Sequence, residues 1–308
     1  MSVIEQKQGE GWVAYRGDCV EVLRDIPTAS VGYSIFSPPF SSLYTYSNSD
    51  RDMGNCANDA EFFGHFAFLV AELTRVLKPG RLVSMHCMPL PTSKSRDGYI
   101  GLRDFPGELI RAFEAHTIDG VRQWTYHSEV TIRKDPVTAM QRTKALGLLH
   151  KTIRKDSSMS RQGIPDKVIT MRKLDPNPEP IAHVGDDALT DVGVWQRYAE
   201  PCWMDIDPSD TLQYRSAREH DDERHICPLQ LEVIRRCVRL WSNPNDVVLT
   251  PFGGIGSEAV VALELRRRAL LVELKGSYFE QACKNMVAAH PDAVGAQRSL
   301  FGEESACA

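Results

Sequence analysis

Apolar positions along this chain recur with two different periods, and the changes between them mark out short strands and amphipathic helices. Val31-Gly-Tyr-Ser-Ile-Phe36 is a short, mostly apolar run cut off by Ser37-Pro38-Pro39, which reads as a buried strand stopped by proline. Phe62, Phe66, Leu69, Val70, Leu73 and Leu77 fall at helical spacing and predict a helix over 60–77, with Asp59 as its cap. Lys78-Pro79-Gly80 is expected to break the chain there, and Arg81–Cys87 reads as the next strand. A helix around 106–116, a strand around 123–133 and a second strand over Lys167–Arg172 follow. The stretch 135–165 is polar, basic and poorly periodic. Residues 175–225, with Pro176, Pro178, Pro180, Pro201 and Pro208, read as irregular, with short elements around Val194–Tyr198.

Regular patterning returns at Pro228. Leu229, Val233, Ile234, Cys237, Val238 and Trp241 form one apolar helical face, closed by Asn243-Pro244-Asn245. Asp246–Thr250 reads as a strand, Ser257–Arg267 as a helix, Arg268–Leu274 as a strand and 276–289 as a final helix. A strand, a glycine turn, a helix and a strand within about 30 residues make a βαβ unit of a parallel sheet. Residues 291–308 read as a loose tail.

Composition excludes several classes. With 308 residues, 42% hydrophobic and 25% charged, the chain is of ordinary globular make-up. No apolar run approaches the roughly 18 residues of a membrane span, and the first ten residues lack a signal-peptide apolar stretch. Eight scattered cysteines without a CxxC pair read as reduced cytosolic thiols, not as a disulfide framework or a zinc site, so no metal is expected. The net charge of −5 conceals an asymmetry. From Arg111 to Lys173 there are 13 Lys/Arg against 6 Asp/Glu, and from Asp175 to His225 there are 13 Asp/Glu against 4 Lys/Arg. The basic stretch, which also holds Trp124 and Tyr126, could follow a phosphate backbone or be a solvated face.

Two motifs carry chemistry. Gly254-Ile-Gly256-Ser257-Glu-Ala259 satisfies G-x-G-x-x-G/A directly after a strand and before a helix, where glycines let a ligand approach backbone and the helix start presents free N–H groups. Glu273, 19 residues beyond Gly254, ends the next strand, where a carboxylate can hold ribose hydroxyls. NAD, FAD and S-adenosylmethionine all use this arrangement. A Walker loop is disfavoured because no Gly-Lys-Ser/Thr follows. The second motif, Ser37-Pro38-Pro39-Phe40, is a rigid corner at a strand end whose carbonyls lack local N–H partners. An exocyclic base amine is a poor nucleophile because its lone pair is delocalised into the ring. A side-chain oxygen and a backbone carbonyl that accept both amine hydrogens favour a pyramidal nitrogen aimed at a sulfonium methyl. Phe40 offers a face on which an extruded base can stack.

With these motifs the chain resembles the DNA amino-methyltransferases, bacterial and phage enzymes that methylate cytosine N4 or adenine N6. Ser37-Pro-Pro-Phe40 resembles their (Asp/Asn/Ser)-Pro-Pro-(Tyr/Phe/Trp) motif, and Thr250-Pro-Phe-Gly-Gly-Ile-Gly-Ser257 their Asp-Pro-Phe-x-Gly-x-Gly-(Ser/Thr) loop. Gly17-Asp18-Cys-Val-Glu-Val-Leu23, Leu77-Lys-Pro-Gly80 and His225-Ile-Cys-Pro-Leu229 resemble further family segments. The catalytic motif precedes the cofactor loop, the β-class order, and the likeness covers about 12–174 and 223–290. It implies a Rossmann-like, doubly wound and mostly parallel α/β sheet, with the strands ending at Phe36 and Thr250 side by side. One methyltransferase domain is expected over 12–290, with target-recognition insertions at about 135–165 and 175–222.

The resemblance also implies a set of site residues. S-adenosyl-L-methionine is expected at Pro251, Phe252, Gly253, Gly254, Gly256 and Ser257, with Glu273 on the ribose, Asp18 near the adenine amine and His225 near the methionine end. Ser37, Pro38, Pro39 and Phe40 would be catalytic. Double-stranded DNA is expected on Arg133, Lys134, Arg142, Lys144, Lys151, Arg154, Lys155 and Arg161. A cytoplasmic monomer or homodimer follows, with a cognate restriction nuclease or none. Thr250 replaces the usual loop Asp, and Ser in place of Asp in the catalytic motif favours cytosine N4 over adenine N6. A nicotinamide oxidoreductase leaves Ser37-Pro-Pro-Phe40 without a role. A cytosine-C5 enzyme would need Pro201-Cys202 as its nucleophile, a DNA-binding relative without catalysis is weighed because of Thr250, and an RNA or protein-glutamine methylase has a similar Pro-Pro corner.

Overall fold

The central strands are continuous apolar runs because both of their faces are covered. The computed structural model describes residues 3–40, 52–137, 140, 149–185, 187–213 and 228–289. Within them nine strands form one sheet: β1 (Val3–Gly9), β2 (Trp12–Gly17), β3 (Val31–Phe36), β4 (Leu77–Cys87), β5 (Trp124–Ile132), β6 (Asp166–Lys173), β7 (Cys202–Trp203), β8 (Val247–Thr250) and β9 (Arg268–Glu273). Their spatial order is β1-β2-β9-β8-β3-β4-β6-β5-β7. Strands β2, β9, β8, β3 and β4 run parallel, β1 closes one edge antiparallel to β2, and β6 and β5 add antiparallel strands beyond β4.

Helices α1 (Cys19–Arg24), α2 (Asp59–Val76) and α3 (Phe105–Glu114) bury Leu23, Phe62, Phe66, Leu73, Leu109 and Phe113 in one core. Helices α5 (Leu231–Trp241), α6 (Ser257–Glu264) and α7 (Gly276–Ala289) bury Val233, Ile234, Val261, Phe279 and Met286 in a second core. A short α4 (Val192–Ala199) lies in the acidic stretch before them. The result is the doubly wound α/β architecture. Chain order reverses between β3 and β8, one leading to β4 and the other to β9, which makes the gap between them a topological switch point.

Four details differ from the sequence expectation. The sheet begins at Val3, ahead of residue 12, because β1 pairs with β2 through its backbone and has no fully buried residue to announce it. Lys78-Pro79-Gly80 does not separate helix from strand; β4 starts at Leu77, and a register shift between Val31 and Tyr33 absorbs the extra residues. The cap of α2 is Asn58, whose side chain accepts the Glu61 N–H at 3.0 Å, while Asp59 pairs with Arg103. Helix α6 stops at Glu264, short of the expected Arg267, since Arg266 turns left-handed at φ 60° and Arg267 binds Ser242.

Candidate active site

Parallel pairing sets Tyr33 opposite Val248 and Ser34 opposite Leu249, so β3 and β8 leave the sheet side by side at the same edge. The Ser34 hydroxyl donates to the Leu249 carbonyl at 2.9 Å, and the ring of Phe36, at the end of β3, meets that of Phe252, just past β8, at 5.7 Å between centroids. Two segments 215 residues apart in sequence thus face each other across the switch point.

The glycine loop has the shape of a ligand cradle. Gly253 donates its N–H to the Val272 carbonyl at 2.8 Å, and a Cβ there would lie 2.4 Å from the Leu271 side chain. Gly256 has φ 89° and caps α6 without a side-chain cap bond to the first N–H groups of the helix among the described residues. Gly254 has φ 51°, and a Cβ there would meet nothing within 4 Å among the described residues. Pro251 and Ser257 are buried beneath, and Asn285 of α7 donates to the Ile255 carbonyl at 2.8 Å. Thr250 is buried, its hydroxyl without a hydrogen-bond partner among the described residues.

Acidic groups surround this cradle. Glu273 accepts the Gly254 N–H at 2.7 Å and the Lys275 N–H at 2.8 Å, leaving further lone pairs on both oxygens. Burial pushes its carboxyl up to about 7 against those backbone donors, and the charge of Asp52 adds to the shift. Because Arg16 of β2 lies opposite Glu273, Asp18 leaves the sheet at the same edge, where it accepts the Glu21 N–H at 3.0 Å and caps α1. The Cys19 thiol is raised by burial first and then by Asp18 and, more weakly, Glu273, which both lie near it. Asp52 accepts the Gly54 N–H at 2.8 Å in the turn Met53–Asn55. A crevice bordered by these carboxylates suits a ligand with cationic centres.

Opposite, the Ser37 hydroxyl lies 3.0 Å from His86 Nδ1. Pro38 and Pro39 are buried, and the half-buried Phe40 ring stands edge-on to His86 and Phe105, at 6.5 and 6.2 Å between centroids. His86 was not singled out by the sequence reading. Its one signal is that of a polar residue ending an apolar strand beside the strand that carries Ser37.

The basic residues divide. Arg133, Lys151, Arg154 and Lys155 are exposed. Lys134 is drawn inward to an ion pair with buried Asp166, and Arg161 donates to the Gly101 carbonyl at 3.1 Å. Arg142, Lys144 and His225 lie outside the described residues. Cys202 sits on β7 at the far edge of the sheet, paired with Thr131 and several strands from the crevice. No group of three or more metal-ligating side chains occurs among the described residues.

A family model described as DNA methylase matches residues 33–284. The type II methyltransferase M.BglII of Bacillus subtilis is 24% identical over 283 residues, covering 90% of this chain and 69% of that protein. M.BamHI of Bacillus amyloliquefaciens is 22% identical over 270 residues, 84% of this chain and 54% of its own length. PvuII DNA methyltransferase, described as cytosine-N4-specific, superposes with a TM-score of 0.65 at 15% identity, covering 92% of this chain and 89% of that one. A Thermus thermophilus protein described as a candidate DNA modification methylase, solved with S-adenosyl-L-methionine, gives a TM-score of 0.62 at 20% identity over 92% of this chain and 98% of that one. At these identities the structures establish a shared Rossmann-like fold.

Proposed function

This chain belongs to the DNA methylase family of the N6/N4 type, and we propose that it methylates the exocyclic amine of a base extruded from double-stranded DNA, cytosine N4 first and adenine N6 second. The observation that carries the reading is the adjacency of β3 and β8, whose ends lead into the Ser37 corner and the glycine loop. S-adenosylmethionine supplies an electrophilic methyl group and fits this donor set. The space before Gly254 would admit it, Glu273 would accept from the ribose hydroxyls, and Asp18 would meet the adenine amine. Pro251, Phe252, Gly253, Gly256 and Ser257 complete the floor.

In this reading Ser37 Oγ and the Pro38 carbonyl accept the two amine hydrogens. That turns the nitrogen lone pair out of conjugation and toward the methyl group. Phe40 holds the base by its face, and burial of both prolines keeps the corner rigid. Arg133, Lys151, Arg154 and Lys155 follow the phosphates. The position of Cys202 speaks against C5 chemistry, and an oxidoreductase leaves the corner idle. Cytosine N4 is preferred because Ser37 is a short, neutral acceptor and Phe40 lacks a hydroxyl, as in Ser-Pro-Pro-Phe enzymes of the N4 kind.

The test is to methylate unmodified DNA, digest it to nucleosides and identify the product by mass spectrometry. N4-methylcytosine is expected, and N6-methyladenine alone would overturn the base assignment. No methylated base on any DNA would favour a binding-only relative. In calorimetry, Glu273→Ala should weaken S-adenosylmethionine binding at least tenfold, about 1.4 kcal/mol, far more than it weakens folding.

A further inference from the structure

Ser37 is one end of a row of polar side chains carried at the ends of four neighbouring strands, β3, β4, β6 and β5. Behind its contact with Nδ1 of His86, Nε2 of that ring lies 3.0 Å from Asp166 Oδ2, and Lys134 pairs with the same oxygen. Strand register produces the row. Phe36 lies opposite Met85, so Ser37 and His86 follow side by side; Val168 lies opposite His86 with Asp166 diagonal to it, and Asp166 lies opposite Ile132, two residues before Lys134.

The row has a direction. The Asp166 side chain is 3% exposed, and burial alone would push its carboxyl up, but its contacts with His86 and Lys134 hold it down at about 2. A buried anion beside Nε2 draws the imidazole proton to that nitrogen and leaves Nδ1 as a bare acceptor. The Ser37 hydroxyl must then donate to Nδ1, which leaves its oxygen to act as an acceptor. The Nε2–H is misaligned for a full hydrogen bond to Asp166, as contacts of this kind often are before substrate closes the site.

We propose that His86, held by Asp166 and Lys134, is a positioning residue that fixes Ser37 as an acceptor toward the base amine and takes up, through Ser37, the proton this nitrogen must lose. The proposal rests on the methyl-transfer reading above. As the N–C bond forms and the S–C bond breaks, sulfur keeps the bonding pair and the nitrogen becomes cationic. Ser37 Oγ then accepts the nitrogen's proton while its own passes to Nδ1. The positive charge that began on sulfur ends on an imidazolium facing Asp166, and Ser37 is restored neutral. A base presenting a carbonyl at that place would meet acceptor with acceptor, which makes the row a filter for amino bases.

Two measurements test this. In the free wild-type protein, 15N NMR of selectively labelled histidine should show His86 protonated at Nε2 and bare at Nδ1. The opposite tautomer would overturn the proposal, and this readout does not depend on activity or on a variant that folds. In single-turnover methylation, His86→Ala should slow transfer roughly hundredfold, with S-adenosylmethionine and DNA affinities unchanged. In a Ser37→Ala background the same substitution should change the rate less than about twofold, because the two act as one unit. Equal losses in both backgrounds would sink the relay while wild-type methylation left the proposed function standing. Absence of methylation by the wild type would sink the function itself.

Discussion

Glu258 and Glu273 show how a single residue's surroundings set its chemistry. Both carboxyls are pushed from an ordinary 4.5 up to about 7 by burial, yet Glu273 binds two backbone N–H groups at the crevice while Glu258 lies 6% exposed in the first turn of α6. The folded state therefore holds both protons to higher pH than the unfolded chain does. The stability this contributes is complete below about 4.5 and is lost as pH rises through 7. Melting of the ligand-free protein should fall between pH 5 and 8. Glu258→Gln should remove its share of that slope, up to roughly 3 kcal/mol, and leave the share of Glu273. An unchanged slope would mean that Glu258 is solvated. At this scale the motif residues were legible because glycine and proline have few roles to play at a strand end. His86 was not, since its meaning comes from which residues lie across β3 and β6, and pairing register is not written in either strand alone.

At the scale of elements, the glycine loop separates folding from binding. Gly256 is left-handed, and a Cβ would press to 3.2 Å of Ala282, so Gly256→Ala should lower stability by about 1–3 kcal/mol. Gly254 is also left-handed, but a Cβ there would meet none of the described residues within 4 Å. Gly254→Ala should cost the fold about 1 kcal/mol yet weaken S-adenosylmethionine binding by more than tenfold. Equal effects of the two on melting and on calorimetry would contradict the cradle. Helix α7 and the strand-turn-helix-strand unit before it were readable from periodicity because each buries one continuous stripe. Strand β1 was not, because an edge strand is held by backbone bonds and needs no apolar run. The end of α6 was missed for a related reason: three arginines continue its composition, but one of them turns left-handed.

For the whole molecule, the basic stretch anticipated a face that the fold trims. With Lys134 and Arg161 drawn inward, neutralising Arg133, Lys151, Arg154 and Lys155 together should reduce the slope of log affinity for DNA against log salt by about three to four units. An unchanged slope would mean that these residues are merely solvated. A different property follows from the order of the strands. The switch point needs β8 beside β3, but it does not need β3 to be made first. Lys7 of β1 lies 2.5 Å from Glu280 of α7, so the first strand and the last described helix are neighbours. A linker of about fifteen residues could join them. Opening the chain instead in the loop 174–185 would yield a circular permutant in which the glycine loop precedes Ser37. It should fold cooperatively and still bind S-adenosylmethionine, as calorimetry can check. Strand adjacency behaves like a wiring diagram that can be read from any starting point, so motif order along such a chain can be rearranged without moving an atom of the site.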